Sequence, residues 1–125
     1  MNAIIVVAAI IERDESFLLT LRPHGTHLAG HWEFPGGKVD PHETHHEALR
    51  REVFEELDAV VEVGDLAHTV THAYPEKTVR LFFYRCELRG EPKPMMGQEM
   101  RWVHKRQLAQ LPFPEADREL IRQLT

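Results

Sequence analysis

Nine consecutive apolar residues, Ala3-Ile4-Ile5-Val6-Val7-Ala8-Ala9-Ile10-Ile11, constrain this fold more than any other stretch. Most are β-branched and none is polar, which predicts a central strand buried on both faces. A strand of that kind needs a layer on each side. The rest of the chain offers them. Glu12 to Ser16 is a polar turn, and Phe17 to Arg22 is expected to pair back on the first strand. Pro23 to Gly30 reads as a loop. Val60 to Val63 returns toward the sheet. Leu66 to Tyr74 and Thr78 to Leu88 should form a hairpin around Pro75-Glu76-Lys77. Gly90, Pro92, Pro94 and Gly97 mark a loop before a short strand, Met100 to Val103. Lys105 to Leu111 reads as a short helix. A last helix follows Pro112-Phe113-Pro114 and turns Leu120, Ile121 and Leu124 inward. No repeat or linker interrupts residues 1–125, so the expectation is one α/β domain with a mixed central sheet between helices.

The remaining helix carries the chemistry. Asp40 is placed to cap it, Pro41 suits its first position, and Glu43 sits where a capping-box carboxylate belongs. Leu49, Val53 and Leu57 then recur every four residues and should face a core. Glu52, Glu55 and Glu56 fall within an arc of about 100° beside that stripe. Like charges at this spacing repel, and they stand near the helix end that disfavours negative charge. A divalent cation would reverse both penalties, and oxygen-only ligands select a hard ion, Mg²⁺ or Mn²⁺. A bare Glu-x-x-Glu-Glu fits a solvated acidic face equally well. His42, His45 and His46 have a spacing that could hold a transition metal, or simply lie in water in the first helical turns.

The longer pattern narrows the choice. Gly37, Glu43, Arg51, Glu52, Val53, Glu55 and Glu56 together resemble the Nudix box, the signature of hydrolases that cleave a nucleoside diphosphate linked to another group. Asp58 departs from it, standing where the family has a glycine. Asp tolerates positive φ better than most residues, so the helix can still end there. The resemblance extends to the MutT-like branch through Arg22, His27, Trp32-Glu33-Phe34-Pro35-Gly36-Gly37-Lys38-Val39, Trp102-Val103 and Phe113-Pro114-Glu115-Ala116-Asp117. It implies an α/β/α sandwich and a Mg²⁺-dependent nucleoside triphosphate pyrophosphohydrolase. In such enzymes the carbonyl matching Gly36 and the carboxylates matching Glu52, Glu55 and Glu56 hold the metal. The resemblance leaves the base open; the expected role is sanitising oxidised nucleotides, 8-oxo-dGTP first, with a CTP-type pyrophosphohydrolase or a nucleotide sensor without turnover as alternatives.

Around that metal site the resemblance implies a nucleotide pocket. Arg22 is a candidate phosphate clamp, since guanidinium is always charged and forked. His27 could contact phosphate or sugar. Glu33, Phe34 and Pro35 match a pocket-lining segment. Asp117 matches the position that reads the base edge, often Asn; ionised Asp only accepts hydrogen bonds, while a buried, protonated one recovers a donor. Each has an ordinary structural alternative: a surface arginine, a loop histidine, core aromatics, a first-turn helix acid. MutT-like relatives often carry a loop glutamate in the register of Met96-Gly97-Gln98. Here Glu99 is the nearest carboxylate, so either Glu99 serves or the base is Glu52 or Glu55.

The net charge of −5 argues against a general nucleic-acid binder. One cysteine, Cys86, permits no internal disulfide and is expected to be a buried thiol. The apolar start lacks a basic leader and is too short to span a bilayer, so the expected setting is the cytoplasm, without membrane association. Either a monomer or a homodimer is compatible with this composition.

Overall fold

The computed structural model describes residues 3–125. Strand β1 spans Ile4–Arg13 and is the junction of the whole sheet. It runs parallel to β6 (Thr78–Arg89) from Ile4↔Val79 to Ile11↔Cys86. On its other edge it pairs with β4 (Gly36–Lys38), and at its end with β2 (Ser16–Leu21) through Glu12↔Phe17 and Arg13↔Ser16. Val7, Ala8, Ala9, Ile10 and Ile11 are all buried, as expected of a strand covered on both faces. β5 (Val60–Ala73) closes one edge against β6, while β3 (Trp32–Glu33) and β7 (Met100–His104) pair with β2.

Alternation along β1 feeds two cores. Val7, Ala9 and Ile11 pack with Ala48, Leu49, Val53 and Leu57 of α1 (His45–Leu57). Ala8 and Ile10 pack with Phe34, Phe83, Leu108, Leu120 and Ile121 on the opposite face. That second layer consists of 3₁₀ turns at Lys105–Gln110 and Glu115–Asp117 and the short helix α2 (Arg118–Leu124). The α/β/α sandwich is therefore correct.

Three local expectations change. The α1 N-cap is Thr44, not Asp40. Thr44 Oγ1 accepts from Glu47 N–H at 3.1 Å while Glu47 Oε1 accepts from Thr44 N–H at 2.9 Å. Glu43 Oε1 still accepts from the Asp40 N–H at 2.9 Å, but the Asp40 carboxylate faces Arg51 at 3.3 Å instead of capping the helix, so only the Thr-x-x-Glu box is complete. Pro41 lies in the turn before the helix, and His42 takes φ 71° there. Second, Val60–Val63 and the Leu66 strand form one strand with irregular register between Val63 and His68, a bulge that hydropathy alone does not join. Third, the apolar run is only half-buried from Ala3 to Val6, and full burial begins at Val7. Gly36–Lys38 forms a short strand paired with β1. Asp58 adopts φ 51°, ψ 40° at the C-cap, the left-handed geometry expected of it. Cys86 is half-buried, and its burial pushes the thiol up to about 12. No helix among the described residues is long and apolar enough to cross a membrane.

Candidate active site

β4 brings the double glycine against β1 and α1. A Cβ on Gly36 would overlap the Val7 carbonyl, and one on Gly37 would overlap the Glu52 carboxylate. At Gly36 the obstacle is backbone, so only glycine fits; at Gly37 it is the flexible end of Glu52, which places the acidic face of α1 directly against β4.

The acids of α1 have different surroundings. Arg51 lies among them. Its Nε and Nη2 grip Glu43 at 2.7 and 2.9 Å, and its Nη1 reaches Glu52 at 2.8 Å and Glu55 at 3.2 Å. Nη2 also donates to the Lys38 carbonyl at 3.1 Å, tying β4 to the helix. This fork holds the Glu43 carboxyl down at about 2, with the Asp40 N–H as second cause. Glu52 is half-buried; desolvation raises its pKa and Arg51 opposes the rise. Glu56 is sheltered further. Burial, then Glu33, then Glu52 push it up to about 8, while the Gly36 N–H and Arg22 pull the other way.

Two adjoining hollows open on the Glu56 side of the helix; Glu52 and Glu55 line neither. One, about 230 Å³, is lined by Thr20, Arg22, Glu33, Glu56, Met96 and Gln98 among others. The other, about 210 Å³, is lined by Arg22, His27, Glu33, Phe34, Gly36, Gly37, Tyr74, Lys77 and Asp117 among others. Arg22 and Glu33 form the wall they share, joined Nη1 to Oε2 at 3.2 Å. Burial raises the Glu33 carboxyl and Arg22 counters it. Asp117 is 5% exposed, and burial with the nearby Glu33 charge pushes it up to about 7. Phe34 makes the apolar wall, stacked on Phe113 and edge-on to Phe83, each at 5.9 Å.

Arg22, His27, Glu33, Phe34, Gly36 and Asp117 thus share one hollow, and Glu56 lies in the next. Pro35 is buried and lines neither; its carbonyl accepts from Ala9 N–H at 2.8 Å. Glu99 also lines neither. Its carboxylate pairs with Arg101 at 2.8 Å and is half-exposed. Arg22 Nε donates to the His27 carbonyl at 3.0 Å, fixing the loop, and His27 stands edge-on to Tyr74. Tyr74, Lys77 and Gln98 went unrecognised in the sequence. The first two flank an ordinary hairpin turn, and Gln98 lies in a glycine-proline loop, so only the tertiary fold brings them to the cleft. The three helix-start histidines do not form a metal site. His45 Nδ1 hydrogen-bonds the Tyr84 hydroxyl at 2.8 Å and His46 packs edge-on to that ring. A larger groove of about 470 Å³ beside α2 is lined by no Asp or Glu side chain, which separates it from this chemistry.

Among the described residues, no three His, Cys, Asp or Glu side chains form a closed ligand cage. The donor set nevertheless fits a hard divalent ion. Glu56 is a sheltered carboxylate with Glu33 and Glu52 raising its proton affinity, and a cation stabilises what burial and repulsion disfavour. The bare backbone at Gly36 and Gly37 leaves room beside it.

The NUDIX domain family model matches residues 6–123. An 8-oxo-dGTP diphosphatase of Haemophilus influenzae is 43% identical over 124 residues, 97% of this chain and 91% of that protein. A CTP pyrophosphohydrolase of Escherichia coli is 36% identical over 122 residues, 97% of this chain and 90% of that protein. A solved MutT NUDIX hydrolase from Burkholderia pseudomallei superposes with a TM-score of 0.87 at 30% identity, covering 100% of both chains.

Proposed function

Since this chain belongs to the Nudix family, we propose that it is a divalent-metal-dependent nucleoside triphosphate pyrophosphohydrolase. Its products are a nucleoside monophosphate and pyrophosphate, and its preferred substrates are oxidised purine triphosphates of the 8-oxo-dGTP type. The observation that carries this reading is the shared Arg22–Glu33 wall, with Glu56 on one side and a hollow walled by Phe34 and Asp117 on the other. Residues 1–125 act as one cytoplasmic domain.

Glu56, Glu52, Glu55 and the Gly36 carbonyl would hold Mg²⁺, with Mn²⁺ as substitute. The ion supplies charge neutralisation on the phosphates and activation of water. Arg22 offers a fixed cation to the phosphate chain, held from behind by Glu33 and the His27 carbonyl. His27 borders the sugar and phosphate region. Phe34 walls the base pocket, and Asp117 meets the base's polar edge. With Glu99 turned onto Arg101, Glu52 or Glu55 accepts the proton of the attacking water. Asp117, protonated near neutral pH, can donate as well as accept, which suits an oxidised purine edge.

A pyrimidine reading has its own support. The E. coli CTP pyrophosphohydrolase aligns over 90% of its length, and ionised Asp117 would accept from a cytosine amine. The test is pyrophosphate release with Mg²⁺ from 8-oxo-dGTP, dGTP and CTP, for the wild type and Glu56→Gln. A kcat/KM for 8-oxo-dGTP no higher than for dGTP removes the sanitising role, and a CTP preference selects the pyrimidine reading. Nucleotide that stabilises the fold without pyrophosphate release would indicate a sensor.

A further inference from the structure

The loop after β6 is stitched to the C-terminal end of α1 at its last two residues, Glu56 and Leu57. The last carbonyls of a helix have no partner within it. Here Leu57 C=O accepts from Lys93 N–H at 2.8 Å, and Glu56 C=O accepts from Met95 N–H at 2.9 Å. Glu56 C=O receives a second donor, Gln98 Nε2, at 3.0 Å. The other end of the same carboxamide, Oε1, accepts from Met96 N–H at 2.8 Å. Gln98 therefore spans the gap between loop and helix and is satisfied at both ends. It is half-buried and lines the same hollow as Glu56.

We propose that Gln98 is a positioning residue for Glu56: by clamping the Glu56 carbonyl it fixes where that residue's carboxylate stands relative to Gly36 and Glu33. The inference rests on the reading of Glu56 as a metal ligand. Glu56 lies one residue from the end of α1, where helices fray, and Asp58 closes the helix with a single bond to Phe54 C=O at 2.9 Å. Without Gln98 the Met95 N–H alone holds the Glu56 carbonyl, and the neighbouring loop backbone loses the tie at Met96. Groups that orient a ligand from behind alter metal affinity by about 10–100-fold when removed. No other residue type of this length both donates and accepts at a neutral terminus.

The test is Mn²⁺ binding to the full chain without nucleotide, followed by electron paramagnetic resonance, for wild type, Gln98→Met and Glu56→Gln. Methionine keeps the length and apolar packing and removes both hydrogen bonds. Gln98→Met is expected to weaken Mn²⁺ by about tenfold with little change in Tm, and excess Mg²⁺ should restore kcat while substrate KM at saturating metal stays put. If Glu56→Gln loses Mn²⁺ while Gln98→Met binds as the wild type does, the positioning role is overturned and the metal reading stands. If Glu56→Gln binds Mn²⁺ normally, the metal reading itself fails. Should Gln98→Met not fold, Gln98→Asn, one methylene too short to bridge both partners, takes its place; wild-type Mn²⁺ affinity in that variant overturns the proposal.

Discussion

Arg51 grips Glu43 with two parallel N–H donors, Nε at 2.7 Å and Nη2 at 2.9 Å, across the turn that leads into the acidic helix. The same guanidinium then reaches Glu52 and Glu55. Glu43 is thus the anchor that orients Arg51, and Arg51 orients two of the proposed metal-binding carboxylates. Arg51→Lys keeps the charge but cannot make the fork. The expected outcome is a kcat/KM at least tenfold lower, with a higher Mg²⁺ requirement, since ligand-orienting groups carry about 10–100-fold. Glu43→Gln should behave alike but more mildly. Activity of Arg51→Lys within twofold of the wild type would refute this chain of orientation.

In the proposed site, metal and proton would compete for Glu56. Its folded pKa is raised to about 8 without metal, above the ordinary carboxylate value. A raised carboxyl stabilises the fold while protonated and loses that contribution as pH climbs from the unfolded value, near 4.5, through 8. A cation that takes the proton's place removes the loss. Mg²⁺ should therefore raise Tm more at pH 9 than at pH 6, and chelation should lower Tm most at the higher pH. In Glu56→Gln the Mg²⁺ effect should largely disappear at both. Thermal scans at the two pH values, with and without Mg²⁺, check the sign.

The sequence exposes the parts that obey local rules. The unbroken apolar run of β1 predicts burial on both faces, and the Leu49, Val53, Leu57 spacing predicts the inner face of α1; all three leucine and valine positions are fully buried. The acidic arc is equally local, because helix geometry alone sets it. The N-cap is ambiguous in the sequence because two capping boxes overlap, Asp40 with Glu43 and Thr44 with Glu47; the Asp40 carboxylate turns to Arg51 and His42 takes φ 71°, so the helix starts from the second. Gly36–Lys38 was unreadable as a strand, since its pairing depends on β1 arriving alongside. Glu99 was selected by proximity in sequence, and its pairing with Arg101 along a short strand is not a sequence signal. Gln98 carries none either: its two partners come from a loop neighbour and a helix end 42 residues away.

Asp117 should leave its own mark on pH dependence. Burial and Glu33 raise it to about 7 from an ordinary 3.8. The folded state holds that proton longer than the unfolded state does, so stability contributed at low pH is lost between about 4 and 7. Asp117→Asn removes the titration. Relative to the wild type it should gain stability as pH rises through that window, by up to a few kcal/mol at about 1.4 kcal/mol per pKa unit, read as a widening difference in Tm. The kcat/KM profile of the wild type should show an ionisation near 7 that the asparagine variant lacks. A persistent ionisation in that variant would assign it to another group.

Met96 is 70% exposed, lines the hollow that contains Glu56, and has its backbone N–H held by Gln98. Its exposed side chain contributes little to the core, so replacing it costs little stability. A glutamate there would place another oxygen donor beside an oxygen-ligated site. Met96→Glu is expected to lower the Mg²⁺ concentration for half-maximal activity severalfold, with Tm within about 2 °C of the wild type in the presence of Mg²⁺. Its effect should vanish in the Glu56→Gln background, because an added donor helps only where the ion is already held. A Mg²⁺ titration of pyrophosphate release for the single and double variants measures both. Unchanged Mg²⁺ dependence in Met96→Glu would mean that the loop stands too far from the ion, and that Glu52, Glu55 and Glu56 complete its protein side-chain ligands.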